Sequence, residues 1–335
     1  MKRRFNSIFL VSVVLLLLLT SIAVSSNTVS GNTIQLAEDQ VLYSEPSLDS
    51  TIVATLNKGD VFVLIDTNEE WNKISNWKYS GYIRNSIEHE SYIHASNVED
   101  STNVKLALIT AALNLRENPD INSKSLSIMR KGTLVIVHDT SNSPWWFVES
   151  NGNFGYSHSD YLEVYDSISE DEVPISIYTT KFSTKKEQEG RVFNITKAAN
   201  MLDSTLVSKS ETFSLLDIIA PITKFAGYKE APEYRVKNGE AFVTTGYGGG
   251  VCQVSTTLYN TFLFASNNLN LELIERHTHA LPVSYVPQGM DATISYSSGK
   301  DFRFKNNSEY NITIRTYVSD TGCISTYFTI KNSDF

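Results

Sequence analysis

Cysteine is scarce in this chain of 335 residues, which contains only Cys252 and Cys323. Two cysteines are too few for a disulfide scaffold, and their late positions exclude the paired spacing of a zinc ribbon. Basic residues are also in the minority, because 28 lysines and arginines stand against 37 aspartates and glutamates, for a formal net charge of −9. Without a basic field to neutralise phosphates, the chain is not expected to bind nucleic acid.

The first 25 residues differ in composition from the rest. They begin Met1-Lys2-Arg3-Arg4, continue through an almost wholly apolar run at 8–19, and end in the small residues Ala23-Val24-Ser25. This order is typical of a cleaved signal peptide, so residues 1–25 predict export. An uncleaved N-terminal anchor is the alternative, because the apolar run extended to residue 24 approaches the roughly 20 residues that span a bilayer.

A pattern of short strands occurs twice, at a spacing of 73 to 74 residues. The matching landmarks follow one order in both copies: Pro46 and Pro119, Lys58-Gly59 and Lys131-Gly132, Trp71 and Trp145, Gly81-Tyr82 and Gly155-Tyr156. Such a repeat predicts two small all-β barrels, at residues 33–92 and 104–165. The pattern, with Leu113-Asn114-Leu115-Arg116 opening the second copy, resembles the bacterial SH3-like domains of secreted cell-wall proteins.

All four tryptophans fall within these repeats: Trp71, Trp77, Trp145 and Trp146. Small barrels have few residues with which to close a core, so we expect the tryptophans to be buried there. Exposed members of the set would instead line a groove for a peptide or glycan strand.

An acidic, polar stretch follows the second repeat, and residues 166–176 are interpreted as a linker. Residues 177–332 then combine strand patterns with two helical ones, which predicts an α+β domain. The first helical pattern contains Ile195, Ala198, Ala199 and Leu202, with Asn194 as the expected cap. The linker predicts that this C-terminal domain folds without the barrels.

The richest chemical signal is the run Gly246-Tyr247-Gly248-Gly249-Gly250-Val251-Cys252, which leads into a periodic apolar helix. A cysteine at a helix start lies near free backbone N–H groups and the positive end of the helix dipole, which favour a thiolate. Cys252 is therefore a candidate nucleophile, and Gly249 and Gly250 allow a substrate carbonyl to approach the backbone. A buried structural cysteine, or a disulfide with Cys323, remains an alternative at this point.

Two histidines follow within 30 residues, in the segment Glu275-Arg276-His277-Thr278-His279. On an extended segment His277 and His279 project from the same face, so one can deprotonate the thiol. We favour His279 because it lies closer to the turn at Pro282. A zinc site is not expected, since no carboxylate motif completes a ligand set, and no cofactor is predicted.

Several segments of the C-terminal domain together resemble the VanW domain, over most of residues 177–332. They are Phe213-Ser214, Gly227–Pro232, Gly248–Asn260, Glu275–His279, Pro282–Pro287 and Gly289–Thr293. The sequence departs from the family where Lys209-Ser210 replaces a Pro-Gly pair and where Met290 replaces a common arginine, and neither change touches the cysteine or histidine segments.

The resemblance implies an exported L,D-transpeptidase of peptidoglycan that uses a cysteine, with stem peptides as substrates and the SH3-like domains holding the cell wall. It assigns the nucleophile to Cys252. The position of the motif gives the base as His279 or His277, and Asp291 is a candidate for orienting the base. Substrate contacts are expected from Gly249, Gly250, Gln253, Ser255, Arg276 and Tyr285. A cysteine-dependent amidase or endopeptidase, or a non-catalytic wall-binding accessory of glycopeptide resistance, remains the alternative function.

Overall fold

The computed structural model describes residues 32–36, 38–57, 61–68, 70–75, 79–85, 104–166, 168–169, 171–237, 240–266 and 269–331. The predicted export segment at residues 1–25 lies outside these ranges, as does Trp77. Within them, no helix is both long and apolar enough to cross a membrane.

The first barrel is a six-stranded antiparallel sheet with the strand order β1-β4-β5-β6-β2-β3. Its strands are β1 (Asn32–Gln35), β2 (Gln40–Tyr43), β3 (Ile52–Leu56), β4 (Val61–Thr67), β5 (Trp71–Ser75) and β6 (Ser80–Arg84). Leu42, Leu56 and Ile74 are fully buried in its core. Trp71 is buried at the edge of this core, with its ring packed edge-on against Tyr43.

The second barrel repeats this strand order as β7-β10-β11-β12-β8-β9, with β13 added beside β7. Its strands are β7 (Lys105–Ile109), β8 (Leu113–Arg116), β9 (Ser125–Met129), β10 (Leu134–Asp139), β11 (Trp145–Ser150), β12 (Asn153–His158) and β13 (Leu162–Val164). Trp145 and Trp146 are half-buried, and Trp146 packs against the barrel core. The sequence repeat is therefore a repeat of topology, as its landmarks predict.

The C-terminal domain combines three helices with nine strands in the described residues. The helices are α1 (Glu189–Leu202), α2 (Leu215–Ile219) and α3 (Val251–Ala265). The strands are β14 (Glu172–Lys181), β15 (Thr205–Val207), β16 (Thr212–Ser214), β17 (Ala231–Lys237), β18 (Glu240–Gly246), β19 (Leu271–Glu275), β20 (Arg303–Asn306), β21 (Ile312–Val318) and β22 (Cys323–Lys331). The predicted fold class, two all-β barrels followed by an α+β domain, is confirmed.

Helix α3 lies at the centre of this domain. It packs against the sheet β14-β22-β21-β15 and against α1, and almost all of its side chains are buried. Val254, Leu258 and Phe262 recur at the helical spacing and enter one core with α1 and the sheets. Burial of a helix on nearly every side fixes its first residue in place, which is where the candidate nucleophile lies.

Helix α1 begins earlier than its apolar pattern indicates. It starts at Glu189, so Asn194 lies in its second turn and is not the cap that the sequence predicts. The Asn194 side chain is fully buried, and its amide is hydrogen-bonded to the backbone of neighbouring segments. The predicted cap is wrong because asparagine can either cap a helix or make buried hydrogen bonds to the backbone, and the sequence pattern does not distinguish the two roles.

The predicted linker is partly strand. Strand β14 begins at Glu172, inside the range 166–176, and pairs with β22 from Glu172 opposite Lys331. The second barrel also packs on the C-terminal domain, where Leu134 and Ile136 share a buried cluster with Ile177. These contacts give the second barrel and the C-terminal domain a shared buried cluster.

Two hydrogen bonds join the same units at a barrel turn. The Asn151 side chain donates to the Thr179 carbonyl at 3.0 Å and accepts from the Thr179 N–H at 2.8 Å. The next residue, Gly152, has a φ of 69° and lies against the ring of Phe264 in α3. The turn of the second barrel thus touches both the strand and the helix that support the candidate site.

Candidate active site

The cysteine after the glycine run is the second residue of α3 and is half-buried. Gly250 precedes the helix with a φ of 105°, a conformation that other residues rarely adopt. A Cβ on Gly249 would lie 2.5 Å from the Pro232 carbonyl oxygen, and one on Gly250 would lie 2.8 Å from that of Arg191. Packing therefore requires glycine at both positions, and the positive end of the α3 dipole lies beside the Cys252 thiol.

A single buried side chain holds the glycine run against α1. The Asn194 amide donates to the carbonyl oxygens of Lys229 at 2.9 Å, Gly249 at 2.9 Å and Tyr247 at 3.3 Å. Its own oxygen accepts from the Lys229 N–H at 2.8 Å. The sequence analysis missed this role, although an asparagine within the apolar face of a helix is a signal of buried polar contact.

A histidine and a carboxylate form the second part of the site. Asp291 Oδ2 lies 2.8 Å from Nδ1 of His279 and accepts the His279 backbone N–H at 2.6 Å. Arg276 donates to the carbonyl oxygen of Asp291 at 2.9 Å through Nε, and its guanidinium lies over the Tyr259 ring at 4.5 Å. Asp291 is thus fixed on both sides, and its bond to Nδ1 leaves Nε2 of the imidazole for the thiol.

The thiol and the imidazole are electrostatically coupled. Burial raises the pKa of the Cys252 thiol, but His279, through a hydrogen bond and its charge, acts with the Thr293 side chain and the Ile294 backbone to bring the pKa below its usual value. Burial lowers the pKa of His279, but Cys252 and then Asp291 raise it above its usual value. Sγ also contacts Thr293 Oγ1 and the Ile294 carbonyl oxygen, each at 3.4 Å. The opposite shifts favour a thiolate–imidazolium pair.

The two histidines have different partners. His277 Nε2 lies 2.9 Å from Glu275 Oε1, and its carbonyl accepts the Thr293 N–H at 2.7 Å. Strand β19 ends at Glu275, so His277 and His279 do not lie on the regular strand that the sequence analysis assumes, and their rings have different partners. His277 helps to hold Thr293, while His279 interacts with the thiol.

Two of the residues expected to contact substrate have no exposed surface to offer. Gln253 is 1% exposed; its amide nitrogen donates to Thr180 Oγ1 at 3.0 Å and to the Lys181 carbonyl at 2.9 Å, and its oxygen accepts from Arg191 at 2.6 Å. Ser255 is fully buried, and its hydroxyl has no partner among the described residues. Their buried positions indicate that Gln253 and Ser255 hold α3 in the interior of the domain and do not contact substrate.

Tyr285 is closer to the reacting groups. Burial and the negative charge of a Cys252 thiolate raise the pKa of Tyr285, while a hydrogen bond with Thr256 lowers it. The net shift is upward, so the phenol remains protonated at neutral pH. A neutral hydroxyl donor near the thiol suits the binding of a substrate carbonyl or a negatively charged intermediate.

Both cysteines are free, and Cys323 is buried on β22. The thiol of Cys252 is therefore available for chemistry. Within the described ranges, no group of three or more histidine, cysteine, aspartate and glutamate side chains is arranged to hold a metal ion.

Three family models match separate parts of the chain. Residues 190–328 match the model described as VanW like protein. Residues 37–87 and 111–163 match two models, each described as Bacterial SH3 domain. The matches follow the order of the two barrels and the α+β domain.

Two curated relatives resemble the C-terminal part. An uncharacterized protein of Bacillus subtilis strain 168, YoaR, is 39% identical over 138 residues, which are 41% of this chain and 42% of that protein. The vancomycin B-type resistance protein VanW of Enterococcus faecalis strain ATCC 700802 / V583 is 33% identical over 149 residues, 43% of this chain and 51% of that protein. The chain thus spans about half the length of the curated relatives that it matches.

Among solved structures, NlpC1 from Trichomonas vaginalis aligns over 56% of this chain and 59% of its own. The sequence identity is 12% and the TM-score is 0.19.

Proposed function

Because the chain carries a VanW domain at residues 190–328 behind two bacterial SH3 domains, we propose that it is an exported, cell-wall-associated L,D-transpeptidase of peptidoglycan. It forms 3-3 cross-links between stem peptides. The observation that carries the proposal is the array of Cys252, His279 and Asp291, with its lowered thiol pKa and raised imidazole pKa. This is the arrangement of a nucleophile, a base and an orienting group that acyl transfer requires.

The first half-reaction transfers the donor peptide to the enzyme. The Cys252 thiolate attacks the carbonyl of the third stem residue, the L-centre of a diamino acid, and His279 holds the proton. The negative oxygen of the tetrahedral intermediate lies towards the start of α3, where the Cys252 N–H and the helix dipole stabilise it. His279 then protonates the departing amine, so D-alanine leaves and a thioester remains.

The second half-reaction resolves the thioester. The side-chain amine of another stem peptide attacks the thioester carbonyl and loses a proton to His279. The C–S bond then breaks, and the thiolate–imidazolium pair is restored. Hydrolysis at the same bond would use the same residues with water in place of the amine, so the acceptor decides between transpeptidation and hydrolysis; an amidase or endopeptidase, the alternative function, would in addition have to bind a different bond of the peptidoglycan.

The SH3 domains supply wall attachment in this proposal. Binding to the wall raises the local concentration of stem peptides around the site without changing the chemical step. The peptides and the wall are the partners, and no cofactor takes part in the reaction as written.

The test is a product analysis with a defined disaccharide tetrapeptide. The protein lacking residues 1–25 should give a cross-linked dimer that has lost one D-alanine, whereas a hydrolase would give the monomeric tripeptide. Cys252→Ala should give neither product, and His277→Ala serves as a matched variant with an intact triad. Equal product from wild type and Cys252→Ala would contradict the proposal, and absence of product would favour the non-catalytic accessory.

A further inference from the structure

A second cationic side chain lies beside the nucleophile and is not used by the proposed chemistry. Arg191 is in the first turn of α1 and is half-buried. A Cβ on Gly250 would lie 2.8 Å from the Arg191 carbonyl oxygen and 3.3 Å from its Cγ. The arginine therefore packs directly on the residue that precedes the nucleophile helix.

The guanidinium is anchored at one corner. Nη2 donates to Gln253 Oε1 at 2.6 Å, and the Gln253 amide is itself fixed by Thr180 and the Lys181 carbonyl. Gln253 follows Cys252 in the chain, so this bond places the guanidinium at the start of α3.

Among the described residues, the Arg191 guanidinium makes one side-chain hydrogen bond, to Gln253. A guanidinium carries five N–H donors in a fixed plane, and it binds a carboxylate through two of them. No carboxylate forms an ion pair with Arg191 among the residues that the structure describes. The remaining N–H donors of the half-buried guanidinium can therefore bind an anionic group of a ligand.

The charges of Arg191 and Cys252 act on one common group, the Tyr285 phenol. The charge of Cys252 raises the pKa of Tyr285 and the charge of Arg191 lowers it, so both lie within electrostatic reach of the same phenol. The positive end of α3 adds to the field at this point. An anion bound there would lie next to the scissile carbonyl and not at a remote position.

We propose that Arg191 binds the C-terminal carboxylate of the donor peptide, the carboxylate of the residue that leaves. This inference rests on the proposed function for its choice of donor. In that reaction the leaving group is a single amino acid, so its carboxylate lies only about 3.5 Å of chain beyond the attacked carbonyl. The arginine accordingly selects peptides that end one residue after the reacting bond.

The experiment measures binding in a protein that cannot react. Cys252→Ala is titrated with the disaccharide tetrapeptide as free acid and as its C-terminal amide, with and without the additional change Arg191→Gln. We expect the free acid to bind about 10- to 100-fold more tightly than the amide, because bonds between charged groups are the strong ones. Arg191→Gln should remove this preference and leave binding of the amide within about threefold.

The amide controls for structural damage, because a disturbed Gln253 network would weaken both ligands alike. Arg191→Lys is the second variant, and it should keep part of the preference since it keeps the charge without the planar fork. Equal affinity for acid and amide, a preference that survives Arg191→Gln, or no binding of either peptide would overturn the inference.

The same peptides separate this inference from the proposed function. Selective binding through Arg191 without any thioester in the wild type would overturn the proposed function alone. A thioester that forms equally well from acid and amide would overturn the role of Arg191 alone.

Discussion

At the residue scale, the reactivity of Cys252 is a balance between burial and its neighbours. Burial disfavours the thiolate, while His279, the Thr293 side chain and the Ile294 backbone lower the pKa of the thiol. Asp291, whose own pKa is lowered by its bonds to His279 against the effect of burial, remains charged and holds the imidazole. The triad therefore works as a unit, and removal of one member should affect the others.

The histidines give the first prediction. His279→Ala should lose acylation by at least about 100-fold, because general acid–base catalysis contributes 10²–10⁴-fold. His277→Ala should retain most of it, since its ring pairs with Glu275 and not with the thiol. Single-turnover acylation, followed by intact mass, measures both. A larger loss in His277→Ala than in His279→Ala would contradict this assignment.

The pH dependence of thiol alkylation gives the second prediction. The pKa of Cys252 lies below its usual value and the pKa of His279 lies above its usual value, so the thiolate should be present at pH values where a free thiol is protonated. Iodoacetamide should label Cys252 with an inflection below the pH of about 8.5 at which an unperturbed cysteine titrates. In His279→Ala the burial penalty remains without its compensation, so the inflection should move upward. An unchanged profile would show that the histidine does not control the thiol.

At the element scale, the site depends on the contact between α1 and the glycine run before α3. The sequence predicts both helices, because their apolar residues recur at helical spacing, and it places Cys252 at a helix start. It could not predict the partners of Asn194 or the separation of the histidines. Those depend on where α1 begins and where β19 ends, and neither boundary has a strong local signal in this sequence.

Asn194 provides the third prediction. Asn194→Ala leaves the buried Gly249 carbonyl, two part-buried carbonyl groups and one N–H without their partner, which should cost about 2 kcal/mol in the free energy of unfolding. Asn200→Ala, at an exposed position on the same helix, is the matched control and should change stability by less than about 0.5 kcal/mol. Equilibrium urea unfolding measures both. Similarly small losses of unfolding free energy in the two variants would show that the hydrogen bonds of Asn194 are unimportant for stability.

At the scale of the whole molecule, the second barrel and the C-terminal domain share a buried hydrophobic cluster. Ile177 and Tyr327 are buried against Leu106, Leu134 and Ile136 of the barrel. The sequence predicts the number, order and class of the domains because repeats and strand patterns are local. The interface between the second barrel and the C-terminal domain could not be predicted from the sequence. A strand face that is buried by its own domain has the same apolar pattern as a face that is buried by a neighbouring domain.

Truncation tests this interface and is the fourth prediction. A fragment of residues 104–335 should unfold in a single transition and turn over soluble muropeptides at a rate close to that of the longer protein. A fragment of residues 175–335 removes the start of β14 and exposes the apolar face at Ile177, so it should melt at a lower temperature and tend to aggregate. Calorimetry compares the two. Equal melting temperatures for the two fragments would show that the C-terminal domain folds without the barrels, as the linker predicts.

The central claim is that Cys252 carries the peptide as a thioester, and one measurement tests it most directly. The protein is mixed briefly with the disaccharide tetrapeptide, quenched in acid, and analysed by intact mass and peptide mapping. We expect an adduct equal to the donor minus D-alanine, located on Cys252, absent from Cys252→Ala and strongly reduced in His279→Ala. An adduct on any other residue, or cross-linked product formed by Cys252→Ala, would contradict it.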